Sequence, residues 1–594
     1  MIRKILIANR GEIACRVIKT AKKLKIKTVA VYSDADKDAL FVKQADESYY
    51  LGGSQPSESY LDADKIISIA KKSKSDAIHP GYGFLSENAP FVNRLKKENI
   101  KFIGPNPMAI KKMGDKIESK NLAIKLKLNV IPGHTAPVKN ASEALKISKK
   151  IGFPVLLKAS AGGGGKGMRI VRKDRELEEN FIAAKSESKK SFGDDRVFIE
   201  KYIEQPRHIE IQILCDKHGN QIHLGERECS IQRRYQKVIE ECPSPFVDED
   251  MRSEMASQAL ILAKEVKYDS AGTVEFVVDS KKNFYFLEMN TRLQVEHPVT
   301  ELVTGIDLVE QMILSADNKK LAMRQKDIKL NGWSVESRIY AEDPTKDFLP
   351  SIGRVTRYIE PKKIEKDYEV IRNDTGISPG SEVSLYYDPM ISKLAVHSKD
   401  RISAINLMIN SLQNYYLSGL ENNIDFLIAI LEDKKFQKGE ISTNFIKEKF
   451  KKGYSSNLTM TDDKRQKFGI IAMLMYAKQS YNLSNVISKS FSVKISEDYL
   501  SIFMNEAAIV DNSMSLLIEI NKKKIKVESS FNLNQKLCSF KVNEEIYYFK
   551  INDLINLHTS DVSFLDCRTK SVVVQCTQKY LLKLMPNDVK EDLC

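Results

Sequence analysis

Val155-Leu156-Leu157-Lys158-Ala159-Ser160 and Gly167-Met168-Arg169-Ile170-Val171-Arg172 read as two strands, and Ala161-Gly162-Gly163-Gly164-Gly165-Lys166 joins them. Four glycines in a row, Gly162 to Gly165, remove every Cβ from the middle of the connection, so backbone N–H groups can close around phosphates. A Walker A loop is excluded, because that pattern wants glycine where Ser160 stands and Ser or Thr where Gly167 stands. A Walker A loop also joins strand to helix, and this one joins strand to strand. The expectation is a hairpin flap over a nucleotide; the plain alternative is a flexible surface turn.

Outward from the flap the pattern is α+β. Asn140 can cap a helix with Glu143 at its third position, and Gly152 and Pro154 stop it. Val197–Tyr202, His208–Cys215, Gln221–Glu228, Gly272–Asp279 and Phe284–Asn290 follow as strands of a largely antiparallel sheet. Lys116 and Lys158 flank the flap and are expected at phosphate, although a strand lysine such as Lys158 can also be a surface residue. Glu200-Lys201-Tyr202-Ile203 ends a strand and can offer partners to an adenine. Toward the N-terminus, short strands and helices alternate from Lys4–Ala8 to Lys101–Ile103. That implies a parallel sheet with ligands at its carboxyl ends, where Asn9–Glu12 and His79–Asn88 fall. Neither loop is a G-x-G-x-x-G fingerprint, so a dinucleotide site is not expected.

Glu275 and Glu288 sit in otherwise apolar strands, where a carboxylate is costly unless paired or metal-bound. Glu288, Asn290 and Arg292 share one face by the period of two. Two carboxylates and an amide oxygen on adjacent strands suit Mg²⁺; a buried salt-bridge network is the alternative. Arg292-Leu293-Gln294-Val295-Glu296-His297-Pro298 then supplies a cation, donors and a base, and Arg338 adds a further cation. Cys229 reads as a wall residue beside this site, not a nucleophile.

The chain has 594 residues, room for roughly four domains at about 150 residues each. With 42% hydrophobic and 29% charged residues it is an ordinary globular composition, which excludes wholesale disorder, collagen and coiled coil. No run approaches the about 18 apolar residues of a membrane span, and no signal-peptide core opens the chain, so a soluble cytoplasmic protein is expected. Lys plus Arg is 93 against 79 Asp plus Glu, a formal +14. The excess is spread out, with no block of five basic residues, and favours a solvated surface over nucleic-acid binding. Eight cysteines form no C-x-x-C pair, which argues against a zinc ribbon or redox motif. After a smaller mixed domain from Ser334 to about Lys452 and a linker at 453–457, the last part is strand-rich. Its segment Phe468–Ala477 is apolar all round, so that helix must be enclosed, by a curled sheet or on an open sandwich.

Leu287-Glu288-Met289-Asn290-Thr291-Arg292-Leu293-Gln294-Val295-Glu296-His297-Pro298-Val299-Thr300-Glu301 resembles the signature of biotin carboxylases, a branch of the ATP-grasp enzymes. So do Ala8–Ala14, His79–Asn88 and Ile231-Gln232-Arg233-Arg234-Tyr235-Gln236-Lys237. Together these motifs cover about residues 1–450. Leu349–Gly353 and Tyr386–Leu394 look like the alpha-subunit family of propionyl-CoA carboxylase, and 454–594 resembles its linking domain more weakly. The resemblance implies a multidomain α/β and α+β protein. An N-terminal parallel-sheet domain would cover 1–114 and an ATP-grasp domain 115–330, with a lid at about 131–204. A biotin carboxylase C-terminal domain would cover 331–452, and a β-barrel around a central helix, which docks a carboxyltransferase, would cover 453–594.

By the same resemblance, Lys116, Lys158, Gly163, Gly164, Gly165, Lys166, Gly167, Glu200, Lys201, Ile203, His208 and Gln232 would hold ATP. Glu275, Glu288 and Asn290 would hold two Mg²⁺ or Mn²⁺ ions, and Lys237, Arg292, Gln294 and Val295 would hold bicarbonate. Glu296 would be the general base, carboxyphosphate the intermediate, and Arg338 the cation that stabilises the biotin anion. Implied partners are a carboxyltransferase beta subunit, a biotin carrier domain and further copies of the chain, with no nucleic acid or membrane. Methylcrotonyl- or acetyl-CoA carboxylase, or another ATP-grasp ligase, remain the alternatives. Two departures stand out. Tyr235 replaces the family's usual His or Asn, and no Met-Lys-Met biotin-acceptor stretch occurs. Either the carrier is a separate chain or the reading frame is truncated; the second is the expectation.

Overall fold

The computed structural model describes residues 1–134, 136–159, 168–366, 368–451, 453–454, 462, 466–467, 469–471, 473–474, 490–495, 498–510, 513–530, 537–542, 545–550 and 583–586. The glycine flap Ser160–Gly167 and the expected strand Ser571–Gln575 lie outside them. The chain divides into two compact units, Met1–Tyr454 and Ser455–Cys594. Among the described residues no helix is long and apolar enough to cross a membrane.

Short apolar strands alternating with amphipathic helices give the first unit a parallel sheet, in the order Glu47–Gly52, Lys27–Ser33, Lys4–Ile7, Ala77–His79, Lys101–Phe102. Its two carboxyl-end loops are tied together, because Asn9 Nδ2 donates to the carbonyls of Pro80 (2.6 Å) and Tyr82 (2.7 Å).

The hairpin expected around the flap is present. Val155–Ala159 pairs antiparallel with Met168–Val171, from Val155 opposite Val171 to Lys158 opposite Met168. Val197–Lys201 and Gly133–His134 complete a four-stranded sheet. The helix Ala141–Ile151 behind it begins where the Asn140 side chain accepts from Glu143 N. It stops at Gly152, whose φ of +84° suits glycine.

The site is built on a nine-stranded antiparallel sheet. Its order is Phe284–Asn290, Ala271–Val278, Arg207–Cys215, Gln221–Arg233, Gln236–Cys242, Trp333–Tyr340, Met390–Ser398, Glu369–Thr375, Ile364–Lys366. One sheet therefore runs from the carboxylate strands to the strand that carries Arg338. A buried charge cluster ties the N-terminal helix Gly11–Lys23 to helix His297–Thr304 and strand Glu369–Thr375. Glu301 receives Arg16 Nη2 at 2.9 Å and Arg372 Nη1 at 2.7 Å.

Where these parts meet, Gly376 lies against backbone, and a Cβ there would fall 2.6 Å from Glu12 N. Neither backbone can give way cheaply. Gly376→Ala is expected to destabilise the first unit by about 1–3 kcal/mol, read from denaturant melts of the full chain; an unchanged midpoint would show that the backbones part freely.

In the second unit seven strands pair antiparallel in the order Glu545–Lys550, Leu537–Val542, Lys523–Ser530, Ser513–Ile520, Asp498–Val510, Ser490–Ile495, Lys583–Pro586. Of the apolar helix expected at Phe468–Ala477, residues 469–471 and 473–474 are helical. Ile470, Ile471, Met473 and Leu474 are buried, and Gly469 packs against Leu500 and Ile502.

Candidate active site

Strand register alone sets a row of charges across the sheet. Arg227 stands opposite Glu210, Glu210 opposite Glu275, and Glu275 opposite Glu288. Glu210 and Glu275 are buried side by side, an arrangement tolerated only beside a cation. Lys237 supplies it. Its Nζ lies 2.6 Å from Glu210, 3.0 Å from Glu275 and 2.6 Å from Glu296. Burial would lower the Lys237 ammonium, but the three carboxylates hold it well above the ordinary lysine range. Burial pushes Glu275 up, and Lys237 with His208, 3.0 Å away, outweighs it. Burial likewise lifts Glu210 above its ordinary value.

The elbow after strand Phe284–Asn290 wraps this row. Arg292 donates to Asn290 Oδ1 (3.1 Å) and Gln294 Oε1 (3.0 Å), so the face expected from the period of two is real. Glu87, from the loop after Ala77–His79, accepts from Thr291 N and Arg292 Nε, both at 2.9 Å. Lys393 reaches across from Met390–Ser398 to donate to the Val295 carbonyl at 2.7 Å. Glu296 precedes helix His297–Thr304 without capping it. Its carboxylate turns inward instead, to Lys237 and, at 3.0 Å, to Arg338 Nη2. Burial would raise Glu296, but Lys237, Arg338 and Arg227 hold it well below the usual carboxylate range. A buried, ionised carboxylate between two cations at the end of a loop of donors can accept a proton from an anionic substrate that those cations bind. Cys229 is fully buried and its thiol is pushed well above the ordinary range by burial and by Glu210, which keeps it protonated.

The residues expected at the nucleotide fall into two groups. Lys158 and Lys120 each place Nζ 2.5 Å from the buried Glu200, whose carboxyl is lowered by both despite its burial. Lys116 Nζ is 3.8 Å from Glu288. The other expected residues make different contacts. Lys201 Nζ donates to the carbonyls of Gly152 and Phe153, Gln232 donates to Cys229 O, and His208 sits on Glu275. Ile203 is half-buried. Gly163, Gly164, Gly165, Lys166 and Gly167 lie outside the described residues.

The donor set at the metal positions is all oxygen. Glu288 faces Lys116 with its carboxylate half-exposed, directly across from Glu275, and Asn290 is two residues along. This chemistry fits a hard divalent cation.

Sequence reasoning quoted Glu87 and Lys393 within motifs but gave them no role, and it passed over Lys120, Glu210 and Arg227. For Glu210 the signal was His208-Ile209-Glu210-Ile211-Gln212, polar residues alternating with isoleucine in a strand buried on both faces.

The chain is similar to known proteins along most of its length. Residues 1–110 match the family model "Biotin carboxylase, N-terminal domain". Residues 115–324 match "Carbamoyl-phosphate synthase L chain, ATP binding domain", and 336–448 match "Biotin carboxylase C-terminal domain". The chain is similar to the mitochondrial propionyl-CoA carboxylase alpha chain of Mus musculus, 47% identical over 609 residues, covering 100% of this chain and 83% of that one. It is similar to the propionyl-CoA carboxylase alpha chain of Ruegeria pomeroyi, 53% identical, covering 80% of this chain and 72% of that one. Among solved structures, the biotin carboxylase domain of 2-oxoglutarate carboxylase from Hydrogenobacter thermophilus superposes with a TM-score of 0.73 at 47% identity, covering 75% of this chain and 98% of that one. That domain was solved with MgADP, ADP and bicarbonate.

Proposed function

Because the chain belongs to the biotin carboxylase family, the ATP-dependent ligase component of acyl-CoA carboxylases, we propose that it carboxylates biotin from ATP and bicarbonate through carboxyphosphate, as the alpha subunit of a propionyl-CoA carboxylase. The observation that carries this reading is Glu296, ionised and fully buried between Lys237 and Arg338.

Lys237, Arg292, Gln294 and the Val295 backbone N–H form the anion site for bicarbonate. Bicarbonate brings its own negative charge against Lys237. It thereby weakens that cation's hold on Glu296 and makes the carboxylate a better base when the substrate is present. Glu296 takes the bicarbonate proton, and the freed oxygen attacks the γ-phosphate of ATP, breaking its bond to the bridging oxygen, releasing ADP and leaving carboxyphosphate. Phosphoryl transfer of this kind needs positioning and charge neutralisation more than covalent help. Lys116, Lys158 and the glycine flap supply these for the phosphates. Glu275, Glu288 and Asn290 would hold Mg²⁺ or Mn²⁺, which would neutralise charge on the phosphate oxygens. Carboxyphosphate then breaks its C–O bond to give CO₂ and phosphate, the phosphate takes the ureido N–H proton, and Arg338 stabilises the resulting ureido anion as its nitrogen attacks the CO₂. The carrier domain that presents biotin and the carboxyltransferase beta subunit that accepts the carboxyl group complete the holoenzyme, in which this chain self-associates.

ATP hydrolysis by the purified chain is expected to need both a divalent cation and bicarbonate, to stop on chelation with EDTA, and to rise with free biotin. A chain that hydrolyses ATP with an amino acid or another carboxylate, and not with bicarbonate, would be a different ATP-grasp ligase. With the beta subunit and a biotinylated carrier added, propionyl-CoA is expected to be carboxylated faster than acetyl- or methylcrotonyl-CoA; the opposite ranking would reassign the acceptor.

A further inference from the structure

Behind Arg338 the sheet holds two carboxyl groups that the chemistry above does not use. Glu240 and Glu336 stand directly opposite each other on the adjacent strands Gln236–Cys242 and Trp333–Tyr340, and both are completely buried. All four of their oxygens lack a hydrogen-bond partner among the described residues. Arg338 Nη2 comes within 2.6 Å of Glu240 Oε1, but out of line for a hydrogen bond. The charged groups that face the pair are Arg338 on the strand of Glu336, Lys237 on the strand of Glu240, Lys393 on the next strand, and Glu296 on the elbow. Cys229 and Tyr340 are their neutral titratable neighbours.

None of those cations is spare. Lys237 already lies within 3.0 Å of Glu210, Glu275 and Glu296. Lys393 is 3.3 Å from Glu12 and donates to Val295 O. Arg338 divides one nitrogen between Glu240 and Glu296. Two adjacent carboxylates in a dry interior, with their cations shared out, cannot both stay ionised. A single proton on the pair removes the excess charge and supplies a donor where the orphaned oxygens have none. Glu240, nearer the guanidinium, keeps the charge. Burial lifts both carboxyls, Glu240 to about 7 and Glu336 well above the ordinary range.

We propose that Glu336 and Glu240 share one buried proton, carried on Glu336, and that the pair is a positioning element that holds Arg338 for the biotin anion. The proposal rests on the role given to Arg338 above. When Glu296 takes a proton it loses its charge and its grip on Arg338, and Glu240 becomes the remaining anchor of the guanidinium. The buried Arg338 Nε has no partner among the described residues.

The test compares Glu336→Gln, Glu336→Ala and Glu240→Gln in the full chain, with thermal melts confirming that each folds. Gln mimics a protonated acid, so Glu336→Gln is expected to retain biotin-stimulated ATP turnover within about threefold, whereas Glu336→Ala and Glu240→Gln raise the KM for free biotin about tenfold or more. In wild type the proton leaves Glu336 as pH rises and puts a second negative charge beside Arg338, so biotin KM climbs at alkaline pH. That limb is expected to vanish in Glu336→Gln. A wild-type-minus-Glu336→Gln infrared difference spectrum is expected to show the carbonyl band of a protonated carboxyl group. Absence of the band, persistence of the alkaline limb, or Glu336→Gln failing as badly as Glu240→Gln would each overturn the shared proton. If wild-type turnover ignores biotin, the reading of Arg338 fails instead, and the infrared band still decides where the proton lies.

Discussion

Glu296→Gln is expected to cut bicarbonate-dependent ATP turnover by about a thousandfold, within the range a positioned general base contributes, while ATP affinity stays within about twofold. The separation follows from which groups touch which. Glu296 contacts Lys237 and Arg338, whereas Lys116 and Lys158 pair with Glu288 and Glu200. Folding should survive, because Lys237 keeps Glu210 and Glu275, and Arg338 keeps Glu240. Glutamine preserves shape and removes only the negative charge and the basic lone pair, so loss of rate with retained nucleotide binding isolates the proton-accepting role. The measurement is turnover at saturating bicarbonate beside equilibrium binding of ATP. Turnover near the wild-type rate would remove Glu296 as the base and leave it a structural counter-ion of Lys237.

How much of this could be read from sequence depended on whether a feature is local. The hairpin around the glycines was legible because Val155–Ala159 and Met168–Val171 are neighbours in sequence and in the sheet. The Glu288-Asn290-Arg292 face was legible because a strand period is two, and the structure closes it with the Arg292–Asn290 hydrogen bond. The charge row was not. Arg227, Glu210 and Glu275 become neighbours only through the register of three strands, and nothing local in the sequence links them. Lys120 belongs to a helix, Lys116–Lys125, with no clean apolar face, so nothing marked it as the second buried cation on Glu200. The pairing of Gln236–Cys242 with Trp333–Tyr340 spans about a hundred residues of chain. It alone brings Arg338, Glu240 and Glu336 to the base, and no pattern within either strand announces it.

Lys237→Met should produce the other large effect, on stability and activity together. Among the described residues the ammonium is the one cation that lies within 3.0 Å of all three of Glu210, Glu275 and Glu296. Methionine fills similar volume, so the loss is electrostatic. Removing one partner of a buried ion pair costs about 3–5 kcal/mol, because the remaining charge is stranded without solvent. The sign of the pH dependence follows from the carboxylates. Glu275 and Glu296 are held below their ordinary values in the folded chain, so they add stability at pH above the unfolded carboxylate range of about 4.3. That contribution disappears as pH falls through the folded-state values. The variant lacks the cation that lowers both groups, so its deficit relative to wild type should be greatest near neutral pH and shrink in acid. Glu296 should also titrate at higher pH in the variant, moving the acid limb of kcat/KM for bicarbonate upward. With the anion site itself dismantled, turnover should drop by about a hundredfold or more. Lys237→Arg restores the charge but not the compact geometry that meets three carboxylates at once, so it should recover stability more than rate. Denaturant melts across pH and the bicarbonate rate profile measure the two effects separately. A stability deficit that stays constant from neutral to acid pH would show that packing, not charge, is what Lys237 supplies.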